Sequence, residues 1–261
     1  MVSGCRLVLL ALLAVASGSG CYYLRSADVP MQTRLYCRAL DYQLTRADDC
    51  PRAQDAMIML PGIGDSVERF AQEGLIDQLR EANLPLDAIV ADAHFGYYRD
   101  RSLLVRLQAD VLEPAKRAGY HTLHFAGVSL GGFGSLLYWR DNASWRPASL
   151  TLLTPYLGEP EYYQYKLDTD VAPQQRQADK NLWPWLDASA LTERRYWYVG
   201  LARSGKFYQP GQAFAELLPE ANRVEVDGEH NWQAWRRMWP PLLSVLQRDF
   251  YPLQPRSGGG I

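Results

Sequence analysis

The sequence has few features of nucleic-acid-binding or metal-binding proteins. Its net charge is −2 at pH 7, which gives no electrostatic reason to expect binding to a phosphate backbone. It has no H-E-x-x-H motif and no paired C-x-x-C motif, and its glycine-rich stretch lacks the G-x-G-x-x-G and G-K-[ST] patterns. We therefore expect no metal, no cofactor and no nucleic-acid partner.

Long apolar runs are also scarce, and the main one lies at the N-terminus. Arg6 precedes the ten-residue apolar run Leu7–Ala16, and the small residues of "SGSGC" follow it. A charged start, a short apolar centre and a small-residue end are typical of a secretory signal. Such a run is about half the length that a membrane-spanning helix needs. We therefore predict a signal peptide over residues 1–20.

Only four cysteines are present, and the second of them follows the predicted signal directly. The stretch ending at Cys21 resembles the lipobox of bacterial lipoproteins, although Gly18 stands where leucine is usual. The resemblance implies a lipid on Cys21. The alternative is ordinary signal cleavage after "AVA" (residues 14–16).

The number of cysteines favours the lipoprotein interpretation. Removal of residues 1–20 leaves Cys21, Cys37 and Cys50, an odd number for an oxidising compartment. A lipid on Cys21 would leave Cys37 and Cys50 as a disulfide pair, which is typical of exported domains. Two free thiols are the alternative. We expect a cell-envelope protein held to a membrane by its N-terminal lipid, with a soluble secreted or periplasmic protein as the alternative.

The rest of the chain predicts a single α/β domain over residues 51–254. The hydrophobic fraction of 48% is large enough for a substantial core, and six apolar strands alternate with helical segments. This alternation predicts a mostly parallel sheet flanked by helices. Residues 21–50 form an irregular N-terminal segment with one or two candidate edge strands. Residues 156–190 are rich in Tyr and Trp, and we predict that they form a cap insertion. We predict a flexible tail for residues 255–261.

One glycine-flanked serine lies between a predicted strand and a predicted helix. The residues Gly127-Val128-Ser129-Leu130-Gly131 match G-x-S-x-G in the strand–turn–helix context of a nucleophile elbow. The segment resembles the elbow of the α/β-hydrolase superfamily, which implies that fold for the chain and a nucleophilic role for Ser129. Glycine is needed on both sides because the turn is too sharp for neighbouring side chains.

Of the four histidines, His230 has the position expected of a general base. His121 and His124 belong to the strand that leads to Ser129, and His94 follows an earlier strand. His230 follows the last strand and precedes the final helix, where α/β-hydrolases place their histidine. Its segment "GEHNWQAW" also resembles the G-x-H-x-W segment of esterases in that superfamily. The tryptophans that follow it are interpreted as core packing.

The resemblance also implies an oxyanion hole made of two backbone N–H groups. One is that of Leu130, directly after the nucleophile, and the other is that of Ile63 in the turn "LPGIGDS" after the first strand of the alternating region. Gly62 and Gly64 would let that turn approach a substrate closely.

The catalytic acid is missing from both positions that the family uses. The stretch after the fifth strand places Arg203 and Ser204 there, and the stretch after the fourth strand reads Thr154-Pro155-Tyr156. Either the site is a Ser–His dyad or a group from elsewhere orients the histidine. The candidates are Asp187 and Asp92, with the Ser204 hydroxyl as a neutral alternative, whereas Asp227 and Glu229 are too near His230 in sequence to orient it easily.

Together these features predict a serine hydrolase that cleaves an ester or related acyl bond of a small molecule in the cell envelope. Transfer of the acyl group to an acceptor other than water remains open. The alternative, motivated by the missing acid, is a catalytically impaired lipoprotein that keeps the hydrolase fold as a binding module.

Overall fold

The computed structural model describes residues 25–38, 52–173 and 180–252. Seven strands form one sheet within them. The strands are β1 (Thr33–Tyr36), β2 (Asp55–Leu60), β3 (Leu86–Ala91), β4 (Leu123–Val128), β5 (Leu150–Leu153), β6 (Trp197–Ala202) and β7 (Arg223–Val226).

The sheet has the order β1-β3-β2-β4-β5-β6-β7. Strands β2 to β7 pair in parallel, and β1 pairs antiparallel with β3 at one edge. The mostly parallel sheet predicted from the alternation is thus confirmed, and β1 is an edge strand in the segment where one was expected. Because β2, β4 and β5 are central neighbours, the loops that follow them meet at one edge of the sheet.

The helices fill the connections between strands. They are α1 (Arg69–Gln72), α2 (Leu75–Glu81), α3 (Phe95–Arg99), α4 (Leu103–Arg106), α5 (Glu113–Arg117), α6 (Leu130–Asp141), α7 (Pro160–Leu167), α8 (Trp183–Ala188), α9 (Tyr208–Ala215) and α10 (Trp232–Phe250), with a π-helical segment at Leu107–Leu112 between α4 and α5. The one helix expected after β2 is split into α1 and α2, because Gly74 between them has a φ of +79°.

Two apolar cores cover the two faces of the sheet. Helices α1, α2 and α10 pack on one face, where Phe70, Met238 and Trp239 are fully buried. Helices α3 to α9 lie on the other face, where Tyr138, Trp183 and Trp197 are fully buried. The tryptophans of α10 therefore belong to the core, as the sequence indicated. Helix α6, which follows the elbow, is buried along nearly its whole length.

A buried polar chain joins the end of α10 to the amino end of the sheet. The His124 ring bonds the Ser149 hydroxyl (2.7 Å) and the Tyr251 hydroxyl (2.9 Å). Tyr251 in turn donates to Asp55 (2.8 Å). Burial lowers the pKa of His124 to about 4. His124 therefore has a structural role, away from the edge that carries Ser129.

The predictions for the chain ends lie mostly outside the described residues. These are the signal peptide at 1–20, the lipid on Cys21, the pairing of Cys50 and the tail at 255–261. Cys37 is described and is disulfide-bonded. Across the described ranges, each helix is too short or too polar to traverse a bilayer. Part of the predicted cap insertion is described, and it contains α7 and α8.

Candidate active site

The elbow holds Ser129 in a conformation that side-chain-bearing residues seldom adopt. Its φ is +51° and its ψ is −113°, between the end of β4 and the start of α6. A Cβ on Gly127 would lie 2.4 Å from the Gly131 carbonyl oxygen, and one on Gly131 would lie 2.1 Å from the Leu60 oxygen. Both positions therefore require glycine, which is the physical basis of the G-x-S-x-G pattern here.

The structure brings His230 into hydrogen-bond contact with Ser129. The His230 Nε2 atom lies 2.9 Å from Ser129 Oγ, although the two residues are 101 positions apart. His230 lies in the loop between β7 and α10. The edges of its ring contact Phe207 (centroids 4.6 Å apart) and Trp235 (5.1 Å) in T-shaped arrangements. These two rings restrict rotation of the imidazole and hold it towards the serine.

The other ring nitrogen of His230 contacts a hydroxyl group. Thr154 Oγ1 lies 2.9 Å from His230 Nδ1, and it accepts a hydrogen bond of 2.7 Å from Trp235 Nε1. Thr154 directly follows β5, at one of the two places where the family carries its acid. The sequence has no carboxylate at this place, and it predicts only core packing for Trp235. The signal was present only as a polar residue at the end of a buried strand.

The carboxylates and the serine considered as orienting groups have other surroundings. Asp92 accepts from Arg25 (3.1 Å), and Asp187 contacts Tyr165 and Lys166. Asp227 accepts from Arg203 (2.9 Å), and Glu229 is exposed. Ser204 is also exposed, and its N–H donates to the Gly228 oxygen (2.9 Å). The structure therefore places a neutral hydroxyl, and none of these candidates, at Nδ1 of His230.

The electrostatic surroundings of His230 favour its neutral form. Burial is the main cause that lowers its pKa to about 4, and the positive charge of Lys206 adds to the effect. A neutral imidazole is ready to accept the serine proton at neutral pH. It is also a weak base, because nothing negative among the described residues stabilises the imidazolium that forms.

The two groups predicted for the oxyanion hole flank the serine. Leu130 is the first residue of α6, whose leading N–H groups have no acceptor within the helix. The turn after β2 passes the nucleophile, since a Cβ on Gly62 would lie 3.6 Å from Ser129 Cβ. Ile63 in that turn is 44% exposed. Donation from the N–H groups of Leu130 and Ile63 to a bound substrate stays a prediction.

Asp65 connects this turn to the start of α10, directly after the loop of His230. Its carboxylate accepts from Trp232 Nε1 (3.3 Å), and its N–H donates to the Gly62 carbonyl (3.3 Å). Burial is the main cause that raises the pKa of Asp65, and the hydrogen bond from Trp232 and the charge of Arg69 oppose it. The turn and the start of α10 are thus held together beside Ser129.

A cavity of about 740 Å³ runs along α6 from the residue after the nucleophile. Its far end is marked by Arg140, ten residues and about 15 Å along the helix from Leu130. Most of the wall is apolar or aromatic, while charges of both signs lie at its rim. The apolar wall consists of Phe95, Tyr97, Tyr98, Leu103, Leu104, Leu130, Phe133, Leu137, Tyr156 and Tyr162. Tyr156 lies between the cavity and the catalytic pair, because its ring contacts both Phe133 and Phe207.

No cluster of three or more His, Cys, Asp or Glu side chains suited to a metal ion occurs in the part of the chain that the structure describes.

No family model matches the sequence, and no curated protein matches it. Solved structures do resemble the fold. FphF, a fluorophosphonate-binding serine hydrolase of Staphylococcus aureus, has 12% identity and a TM-score of 0.55, over 83% of this chain and 98% of that one. Est1E of Butyrivibrio proteoclasticus, with ferulic acid bound, has 13% identity and a TM-score of 0.52, over 84% and 95%.

A third similar structure is MGS-MChE2, an α/β-hydrolase enzyme from a sediment metagenome of the Mar Chica lagoon in Morocco. It has 14% identity and a TM-score of 0.54, over 86% of this chain and 97% of that one. Identities this low show the architecture alone. These structural similarities, together with the parallel sheet and the elbow at Ser129, establish that this chain has the α/β-hydrolase fold.

Proposed function

We propose that the protein is a serine hydrolase that cleaves a carboxylic ester or a related acyl bond. The observation that carries the proposal is the 2.9 Å contact between Ser129 Oγ and His230 Nε2 at the strained elbow. In this mechanism Ser129 attacks the carbonyl carbon while His230 takes its proton and later returns it to the leaving group. The N–H groups of Leu130 and Ile63 stabilise the oxyanion.

A fluorophosphonate probe tests this proposal directly. We expect stoichiometric labelling of the folded protein at Ser129, located by peptide mass spectrometry, and loss of the label in Ser129→Ala. Ser135→Ala is a matched control, because Ser135 is buried in the same helix and its hydroxyl bonds the Gly131 carbonyl. A folded protein that stays unlabelled, with equal ester turnover in wild type and Ser129→Ala, would instead support the binding-module alternative.

The cavity along α6 supports an apolar acyl group as part of the substrate. It starts at Leu130, and its walls present aromatic and aliphatic side chains over about 15 Å. Its rim mixes both signs of charge, which gives no preference for a highly charged ligand. We propose that an extended chain of roughly ten carbons, at about 1.3 Å per bond, lies along the α6 face.

Narrowing the cavity at Leu137 is expected to discriminate between acyl chains. Leu137 lies about 10 Å along α6 from Leu130, beyond the reach of a four-carbon acyl group. Leu137→Trp should raise KM for p-nitrophenyl decanoate about tenfold or more, since each methylene excluded from apolar surroundings loses about 0.8 kcal/mol. KM for the butyrate ester should change by less than about twofold.

Val105→Trp is the control for this substitution, because Val105 is exposed on α4 outside the cavity wall. It should change neither KM value. Equal effects of Leu137→Trp on both esters would show that the chain does not lie along α6.

We also propose that the mature chain is a lipoprotein of the cell envelope. The motivation is Arg6, the apolar run Leu7–Ala16 and the lipobox-like residues before Cys21. The disulfide at Cys37 is consistent with an exporting pathway. Mass spectrometry of the mature N-terminus tests this: a diacylglyceryl-modified Cys21 is expected, whereas a free N-terminus after residue 16 would indicate ordinary cleavage.

A further inference from the structure

Thr154 occupies the place next to His230 where the family carries its acid. Its side chain is 5% exposed, and its N–H is bonded to the Gly200 carbonyl on β6 (2.8 Å). The Oγ1 atom lies 2.9 Å from His230 Nδ1 and 2.7 Å from Trp235 Nε1. Two donor-capable nitrogens thus converge on one hydroxyl oxygen.

The hydroxyl of Thr154 has two possible roles at His230: its oxygen can accept a proton from Nδ1, or its O–H can donate to that nitrogen. The indole N–H of Trp235 only donates, so it fills one of the two lone pairs of Thr154 Oγ1. The second lone pair is available to a proton on His230 Nδ1. An imidazole that carries its proton on Nδ1 has a bare Nε2, and Nε2 is the atom that faces the Ser129 hydroxyl. The arrangement therefore suits the tautomer that a general base needs.

A bridging water has no room beside this contact. The space bounded by Thr154, Gly205, Phe207 and His230 is too small for a water molecule. A more distant carboxylate therefore has no water-mediated route to Nδ1 through this space, and the direct hydrogen bond at Nδ1 is the one with Thr154.

The backbone at Thr154 carries strain. Its φ is +40°, in the left-handed region that is a true outlier for a β-branched residue. Such conformations persist where surrounding contacts impose them, and they cluster at functional sites. Asn and Asp tolerate this region far better than Thr does. The backbone at this position therefore suits Asn or Asp better than the threonine that it carries.

We infer that Thr154, held by the indole N–H of Trp235, is a positioning residue that orients His230 in place of a catalytic carboxylate without supplying its charge. This inference rests on the proposed hydrolase function. Thr154 fixes the ring and its tautomer. It gives the imidazolium no negatively charged neighbour. His230 is therefore well placed to accept the Ser129 proton, but the charged form that results is not stabilised.

Four substitutions test the inference in folded, purified protein. Thr154→Val keeps the shape and removes the hydroxyl, and it should lower kcat for a p-nitrophenyl ester by about 10- to 100-fold with KM unchanged, as expected for loss of a hydrogen bond to a charged group. Thr154→Ser keeps the hydroxyl and should retain kcat within about threefold. Trp235→Phe keeps a ring against His230 and should lower kcat less than Thr154→Val does.

Thr154→Asp introduces a negative charge beside His230 and should raise kcat, whereas Thr154→Val should lower it. A carboxylate beside His230 favours the imidazolium, so the acid limb of kcat/KM should move up by about one to three pH units. We expect kcat at pH 8 to rise about tenfold or more, because loss of the acid from a complete triad costs about 10⁴.

Nuclear magnetic resonance of the His230 imidazole nitrogens gives a readout that is independent of turnover. Wild type should show the proton on Nδ1, and Thr154→Val should show a mixture of tautomers. A wild-type proton on Nε2, an unchanged kcat in Thr154→Val, or equal losses in Thr154→Ser and Thr154→Val would each overturn the inference. Failure of fluorophosphonate labelling at Ser129 would instead remove the proposed function while the tautomer result still stands.

Discussion

Replacement of His230 by alanine is expected to lower kcat for p-nitrophenyl esters by at least about 100-fold. The size follows from how triad members combine. In subtilisin, loss of the histidine costs about 10⁶ in kcat, whereas loss of the aspartate alone costs about 3 × 10⁴. A site that already lacks the carboxylate therefore has about 10² left to lose when the base is removed.

A larger loss would be informative about Thr154. If the hydroxyl restores part of what a carboxylate provides, removal of His230 should cost closer to 10⁴ than to 10². Steady-state kinetics with a thermal melt as a folding check would measure the effect. His121→Ala is the matched control. His121 is exposed and precedes the amino end of β4, whereas the elbow follows the carboxyl end of that strand. Wild-type turnover in His230→Ala would exclude this histidine as the base.

The second large effect is in the pH profile. The acid limb of kcat/KM should fall near pH 4, because burial and the charge of Lys206 lower the pKa of His230 to about 4. A histidine with the ordinary pKa of about 6.5 would lose roughly 30-fold of its active form by pH 5. This enzyme should retain most of its neutral-pH kcat/KM at pH 5.

The charged groups around His230 define the controls for that profile. Lys206 lies on the loop after β6, where its ammonium group contacts the Phe207 ring, and Asp227 and Glu229 lie exposed on the histidine's own loop. Lys206→Gln should move the acid limb slightly upwards, because it removes a positive charge that disfavours the imidazolium. An acid limb near pH 6.5 in wild type would show that His230 is not desolvated in solution.

The free energy of unfolding should also decrease as the pH falls, so it must be measured together with the pH profile of kcat/KM. His230 and His124 both have lowered pKa values in the folded state, so the unfolded chain binds more protons than the folded one in weak acid. Their contribution to stability is fully present above about pH 6.5 and is lost as the pH falls towards 4. Initial rates should therefore be compared with the free energy of unfolding at each pH.

The sequence could predict the elements whose signal is local. The elbow at Ser129 is written in five consecutive residues, and the place of His230 is set by its position between the last strand and the last helix. The alternation of strands and helices likewise predicted the parallel sheet, because each element's apolar pattern is contained within it. The fold and the contact between Ser129 and His230 could thus be predicted from the sequence.

The threonine was not accessible in the same way. Its contacts with His230 and Trp235 join residues 76 and 81 positions apart, and they depend on the register of β5 and on where α10 begins. Nothing in Thr154-Pro155-Tyr156 differs from the ordinary end of a buried strand. The break between α1 and α2 at Gly74 shows the same limit, because helical spacing continues across it while the left-handed glycine interrupts the backbone.

Helix α10 connects Tyr251, near the carboxyl end of the described residues, with the surroundings of Ser129 and His230. The helix has 19 residues and is about 28 Å long. In its first turn Trp235 donates to Thr154, whose hydroxyl contacts His230, and just past its last turn Tyr251 is hydrogen-bonded to His124 and Asp55. A protein shortened to end before Tyr251 would release that tether. We expect the loss of this tether to weaken the packing of α10, on which the contact between Trp235 and Thr154 depends.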